Sequence, residues 1–171
     1  MISAVIRAEG DVEALAFTLA ALVPAVAEGV LRDAVIVDGG SDPQVRDLAE
    51  AAGTAYATWR DGGASRGSAW LAGADAARGP WFLLLTAGDV PGPNWIPAAD
   101  RFIRSAGSDG SALFDSETGG IWRLAKGLMS GAKRRRYLAS GMIVPRSAIE
   151  QGYAAASRMQ RLPVGLQRHT A

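Results

Sequence analysis

The 171-residue sequence predicts a single α/β domain with a mostly parallel sheet flanked by helices. Three observations lead there. Strand-like and helix-like segments alternate through about the first hundred residues, the order expected of βαβ units. "AVIV" and "FLLL" are unbroken apolar runs, as in strands covered on both faces. Gly29, Gly53 and Gly79 follow the first three helical patterns, where glycine eases the exit from a helix.

Taken in order, "ISAVIRA" reads as the first strand, and "DVEALAFTLAALVPAVAEG" follows as a helix with Leu15, Leu19, Leu22 and Val26 on one face. "DAVIVD" is the second strand. After the turn "GGSD", Pro43 suits a helix first turn, ahead of Val45, Leu48 and Ala52. "TAYATW" is the third strand, and the glycine-rich loop "RDGGASRGS" leads into the helix "AWLAGADAAR". The fourth strand is "WFLLLT", and a helix from Asn94 to Ile103 comes next. Beyond it the sequence predicts a short strand at "SALFD", a helix from Ile121 onward, a strand "SGMIVP" and an ill-defined tail.

Composition narrows the function classes. The chain has no cysteine, which excludes disulfides, thiolate metal sites and cysteine nucleophiles. "MISAVIRAEGD" meets an acid too early for a signal peptide, and no apolar run approaches the roughly 20 residues of a membrane helix. A cytoplasmic protein is expected. The net charge of +1 conceals a division: residues 1–122 carry 8 basic and 16 acidic groups, whereas residues 123–171 carry 10 basic and 1 acidic. The basic part therefore faces an anionic partner or the acidic part of its own fold.

In open parallel sheets ligands bind beyond the carboxyl ends of the strands. The polar residues there are Arg7 and Glu9 after strand one, Asp38 and Ser41 after strand two, Asp61, Ser65 and Arg66 after strand three, and Asp89 after strand four. Each alone suits a cap or turn; together they suggest a site. "RAEGDVEAL" lacks the glycines of a dinucleotide fingerprint, and no P-loop lysine occurs. "GASRG" matches G-x-S-x-G, but "WRDGG" separates it from its strand, and the one histidine, His169, lies in a tail expected to be poorly ordered.

"ISAVI", "VIVDGGSD" and "SRGSAWLAGADAARGPWFLLLTAGD", in that order and spacing, resemble the nucleotide-sugar-binding half of the family 2 glycosyltransferases. The similarity is to short bacterial members with a V-D-G-G-S turn and an R-G-x-x-x-x-A-G-A helix start. It covers about residues 2–104, and "SGMIVPRSAIE" resembles the family's later strand. The resemblance implies a GT-A (nucleotide-diphospho-sugar transferase-like) fold, with residues 1–104 as the donor half and 105–171 as a basic, acceptor-side segment. It also implies transfer of a sugar from a nucleotide-diphosphate-sugar donor. Asp38 matches the aspartate that contacts base or ribose, and Arg66 matches an arginine near base and diphosphate, beside Gly67. Arg7, Glu9 and Ser41 fall around the nucleotide. Asp89 is the candidate ligand for Mg²⁺ or Mn²⁺, a hard ion that would neutralise the leaving diphosphate. Its other reading is a cap on the turn before Pro91.

Two departures accompany the resemblance. The family writes D-x-D or H-A-D at the fourth strand, whereas "TAGD" has Gly88 at the ligand position and its acid one residue later, as in members that read N-A-G-D. Close relatives also carry an aspartate before the later strand and a Glu-Asp pair after it, one carboxylate serving as the base. Here Ala139 stands at the first place and Glu150 is the one acid beyond. Three explanations stay open: Glu150, Asp115 or Glu117 is the base; the acceptor is a phosphate that needs none; or the protein is a non-catalytic nucleotide-binding or structural member. "GIWRLAKGLMSGAKRRRYLAS" sets Ile121, Leu124 and Leu128 apart from Arg123, Lys126 and Lys133 to Arg136. That pattern suits either peripheral attachment to an anionic lipid surface at the inner face of the membrane or packing on the sheet. It has too few aromatics for a nucleic-acid surface.

Overall fold

The computed structural model describes residues 1–40, 42–59, 67–116 and 135–169. In chain order the elements are β1 (Ile2–Ala8), α1 (Val12–Ala27), β2 (Leu31–Asp38), α2 (Pro43–Ala51), β3 (Ala55–Thr58), α3 (Gly67–Ala76), β4 (Trp81–Thr86) and β5 (Asp89–Pro91). They continue with α4 (Trp95–Ser105), β6 (Ser111–Ser116), β7 (Arg135–Tyr137), β8 (Met142–Pro145), α5 (Arg146–Gln151), β9 (Tyr153–Ala155) and β10 (Met159–Arg168).

Among the described residues, eight strands form one sheet in the order β3-β2-β1-β4-β8-β6-β10-β5, and β7 pairs with β9 apart from it. The β3-β2-β1-β4 half is parallel. β8 runs against both β4 and β6, and β10 is parallel to β6, so β6 and β10 point the same way as the first half. The carboxyl ends of β1, β2, β3, β4, β6 and β10 therefore lie at one end of the sheet, called the rim below. Chain connectivity adds a constraint. β5 leaves β4 after two residues yet pairs with β10 at the far edge. Only a sheet curled back over the end of β4 satisfies both.

Side chains alternate across this sheet to feed two cores. Ile6, Ile36, Leu83 and Leu85 face α1, α2 and α4, whereas Val5, Val35, Val37, Phe82 and Leu84 face α3 and α5. Helix starts follow the sequence: the Asp11 carboxylate accepts from the Ala14 N–H at 2.8 Å, and Asp42 accepts from Gln44 ahead of Pro43.

Several sequence expectations are corrected. The buried face of α1 is Ala14, Leu15, Thr18, Leu22 and Ala25; Val26 is exposed and Leu19 only partly buried. Thr18 is inside because its hydroxyl has buried backbone partners, donating to the Ala14 carbonyl and accepting from the Gly88 N–H. Ala52 is the exposed C-cap of α2 rather than part of its buried face. β5 replaces an expected turn. The expected ill-defined tail is β10, ten residues long, with its register shifted between Leu162 and Gly165 around Pro163. The helix expected from Ile121 lies outside the described residues up to Arg134, and 135–137 are strand.

Leu84 is fully buried between β1 and β8. Leu84→Ala is expected to lower unfolding free energy by about 2–5 kcal/mol, measured by urea denaturation; a loss below about 1 kcal/mol would contradict this packing.

Candidate functional site

At the rim, register places Arg7 between Val37 of β2 and Thr86 of β4, and Ala8 beside Asp38. Parallel pairing thus brings Arg7, Asp38 and the turn after β4 together from separate parts of the chain.

Asp38 is 3% exposed, and both its oxygens are engaged. Oδ1 accepts from the Gly40 N–H at 2.8 Å, and Oδ2 accepts from the Tyr56 hydroxyl at 2.7 Å. A carboxylate offers about four acceptor sites, so two donors fix its orientation and leave capacity for a ligand. Burial, and then the bond to Asp38, hold the Tyr56 hydroxyl above its usual pKa, so it stays a donor at neutral pH. Arg46 lies over the Tyr56 ring at 4.8 Å.

The Arg7 side chain is mostly buried and Glu9 mostly exposed; Nη2 donates to Glu9 Oε1 at 2.6 Å. The Arg7 guanidinium also lies 5.6 Å from the Trp59 ring and 5.5 Å from Trp70. Two aromatic faces and a carboxylate restrict the guanidinium more than any one contact. Gly67 is the first residue of α3, whereas Ser41, Asp61, Ser65 and Arg66 lie outside the described residues.

Asp89 answers differently from the expectation of a metal ligand. Its carboxylate is 1% exposed. Oδ1 accepts from Arg168 Nε at 3.0 Å and Nη2 at 2.9 Å. Oδ2 accepts from the Thr86 N–H at 2.7 Å and from the Ser140 hydroxyl. This is a buried carboxylate with a guanidinium as counter-ion and two further donors, an arrangement that compensates its desolvation. A divalent ion would have to displace Arg168 or Ser140 to reach it. The neighbouring position is closed too: Gly88 has φ +91°, its carbonyl accepts from the His169 N–H at 2.8 Å, and a Cβ there would overlap the His169 carbonyl oxygen. Among the described residues no three His, Asp or Glu side chains group as metal ligands. The donor set at Asp89 does not fit Mg²⁺ or Mn²⁺; its bond from the Thr86 N–H closes the turn between β4 and β5 rather than one before Pro91.

The proposed bases separate by topology. β8 is antiparallel to β4, with Pro145 opposite Trp81, so α5 and its Glu150 begin at the end of the sheet opposite the rim. Asp115 stands at the rim end of β6, 3.8 Å from Arg161 and about half exposed. Glu117 and residues 121–134 of the basic segment lie outside the described residues. Among the described residues no helix is long and apolar enough to cross a membrane.

Sequence reasoning missed Arg168 and Ser140. Both come from the later third of the chain, 79 and 51 residues from Asp89, and neither stands in a local pattern that marks it. His169, expected in a loose tail, is held by its backbone bond to Gly88 and stacks on Phe17 at 5.2 Å.

No protein-family model matches the sequence, and no curated protein matches it. Solved structures do. Glucosyl-3-phosphoglycerate synthase from Mycobacterium tuberculosis, in complex with Mn²⁺, UDP and glucosyl-3-phosphoglycerate, superposes with a TM-score of 0.72 at 13% identity, covering 100% of this chain and 72% of that one. The chain has the GT-A fold. The same synthase with Mn²⁺ and UDP-glucose gives a TM-score of 0.71 at 14% identity, covering 100% and 71%. Its complex with Mg²⁺ and UDP gives 0.69 at 14% identity, covering 100% and 72%. The GT-A fold accounts for the parallel β3-β2-β1-β4 half and for the rim on which Arg7 and Asp38 meet.

Gly10 and Gly88 share φ +91°, but a Cβ on Gly10 meets nothing within 4 Å. Gly10→Ala is expected to cost about 1 kcal/mol from backbone strain alone. Gly88→Ala is expected to cost at least about 2 kcal/mol more, because it also expels the C-terminal strand. Equal losses on chemical denaturation would remove that strand from above Gly88.

Proposed function

We propose that the protein binds a nucleotide-diphosphate sugar at the rim and transfers the sugar to an acceptor. The observation that carries this reading is the superposition of the whole chain on a transferase solved with UDP and UDP-glucose, with Asp38 oriented at the end of β2. In this reading the spare acceptor capacity of Asp38 takes a ribose hydroxyl or a base N–H. Arg7, fixed by Glu9 and the two tryptophans, adds positive charge where the diphosphate lies. Arg66, Gly67 and Ser41 complete the nucleotide site as the family resemblance implies.

Transfer breaks the bond between the sugar's anomeric carbon and the diphosphate oxygen, whose electron pair leaves with the nucleotide. An acceptor oxygen forms the new bond and gives up its proton. Of the carboxylates considered for that proton, Asp115 is the one at the rim end among the described residues; a phosphate acceptor needs no base.

A second reading has its own support. Ala139 stands where close relatives of the resembled family carry an acid, and Glu150 starts from the wrong end of the sheet. A member that binds the nucleotide without turning it over meets both facts.

Isothermal titration with UDP-, GDP- and TDP-sugars tests the site. One of them is expected to bind, and Asp38→Asn is expected to weaken it about tenfold. No heat with any donor overturns the proposal. A bound donor that is neither hydrolysed nor transferred to any acceptor favours the second reading.

A further inference from the structure

The misfit between Asp89 and a divalent ion leaves a question about charge. In the donor reading a diphosphate at the rim brings more negative charge than Arg7 alone offsets, and the place for an ion on the Asp89 carboxylate is already filled. We propose that the Arg168 guanidinium occupies the place a divalent ion would take and itself meets the diphosphate, so that nucleotide binding needs no metal. The proposal rests on the donor reading above.

Four observations carry it. The Asp89 side chain is 2% exposed, whereas that of Arg168 is 54% exposed, so the pair presents its cationic partner to solvent. Arg168 bonds Asp89 through Nε and Nη2, both to Oδ1. Those are two of the five N–H groups of a guanidinium, and the rest of the fork suits phosphate oxygens. Arg168 is also at the right end of the molecule. It pairs with Asp89 across β10 and β5, the Asp89 carboxylate binds the Thr86 N–H, and Thr86 is the register partner of Arg7. Finally, the route to an acidic ligand at position 88 is closed by the same strand that delivers Arg168: the His169 carbonyl oxygen lies where a side chain on Gly88 would begin. One strand thus removes the metal ligand and supplies a cation.

The buried carboxylate gives this cation a fixed orientation. With Asp89 held by Ser140 and Thr86, the guanidinium is anchored along one edge before any nucleotide arrives. Less freedom is then lost on binding than with a loose surface arginine.

The test compares UDP, GDP and TDP titrated into the full chain in EDTA and in Mn²⁺, with uridine, guanosine and thymidine as phosphate-free controls. The tightest diphosphate is expected to bind within about threefold of the same affinity in both buffers. Arg168→Gln is expected to weaken that diphosphate about tenfold while leaving the nucleoside unchanged, and Arg168→Lys to restore only part of the loss, because the ammonium keeps the charge but not the fork. A requirement for Mn²⁺ of more than about tenfold overturns the proposal while leaving the donor reading intact. So does an Arg168→Gln protein with undiminished diphosphate affinity. Absence of binding by all three diphosphates in both buffers defeats the donor reading and this proposal together. The metal comparison uses the unaltered protein and stands even if the glutamine variant fails to fold.

Discussion

A carboxylate buried to 1% exposure has to be compensated, and the way Asp89 is compensated organises the rim. Its four donors come from three places: the end of β4, the loop before β8, and the last residue of β10. Each is drawn to the same point because the sheet curls until its β10–β5 edge lies over the end of β4. Removing the curl would separate Arg168 from Asp89 and leave a buried charge; removing the charge would leave the curl without its polar fastening. α1 joins the same knot, since the Gly88 N–H is shared between the Ala14 carbonyl and the Thr18 hydroxyl.

The Arg7 side of the rim shares that closure. Arg7 and Thr86 are register partners on adjacent parallel strands, so fixing the turn after β4 also fixes the backbone beside Arg7; the Ala87 N–H donates to the Arg7 carbonyl at 2.8 Å. On the other side of β1, Asp38 is oriented by Gly40 and Tyr56 without help from β4. The rim therefore carries an oriented carboxylate at the end of β2 and the Arg7 guanidinium at the end of β1, with Arg168 brought to the turn after β4 from β10. That layout suits a ligand with a hydrogen-bonding end and an anionic end, and the nucleotide-sugar reading takes it so.

Much of the first half was legible in the sequence. Continuous apolar runs marked β2 and β4, glycines marked helix ends, and Pro43 marked a helix start, because these signals are local. The second half was not. β10 carries Pro163, a shifted register and several charges, so it lacks both the continuous and the alternating apolar pattern. β5 is three residues long and owes its existence to β10. The α1 stripe was misread at Val26 because Thr18, polar by type, is buried through its hydrogen bonds. At the site, the sequence marked Asp89 as an acid at the mouth of a buried strand but held no sign of its partner. A contact spanning 79 residues leaves no local pattern, and so an internal counter-ion was taken for an external one.

Asp89 and Arg168 act as one unit that closes the curled sheet. A double-mutant cycle on unfolding free energy, with Asp89→Asn, Arg168→Gln and the pair together, measures that directly. A coupling of about 1–3 kcal/mol is expected, with the double variant less destabilised than the sum of the two singles. Losses that add to within about 0.5 kcal/mol would mean that the two side chains do not interact, and the closure described here would be wrong.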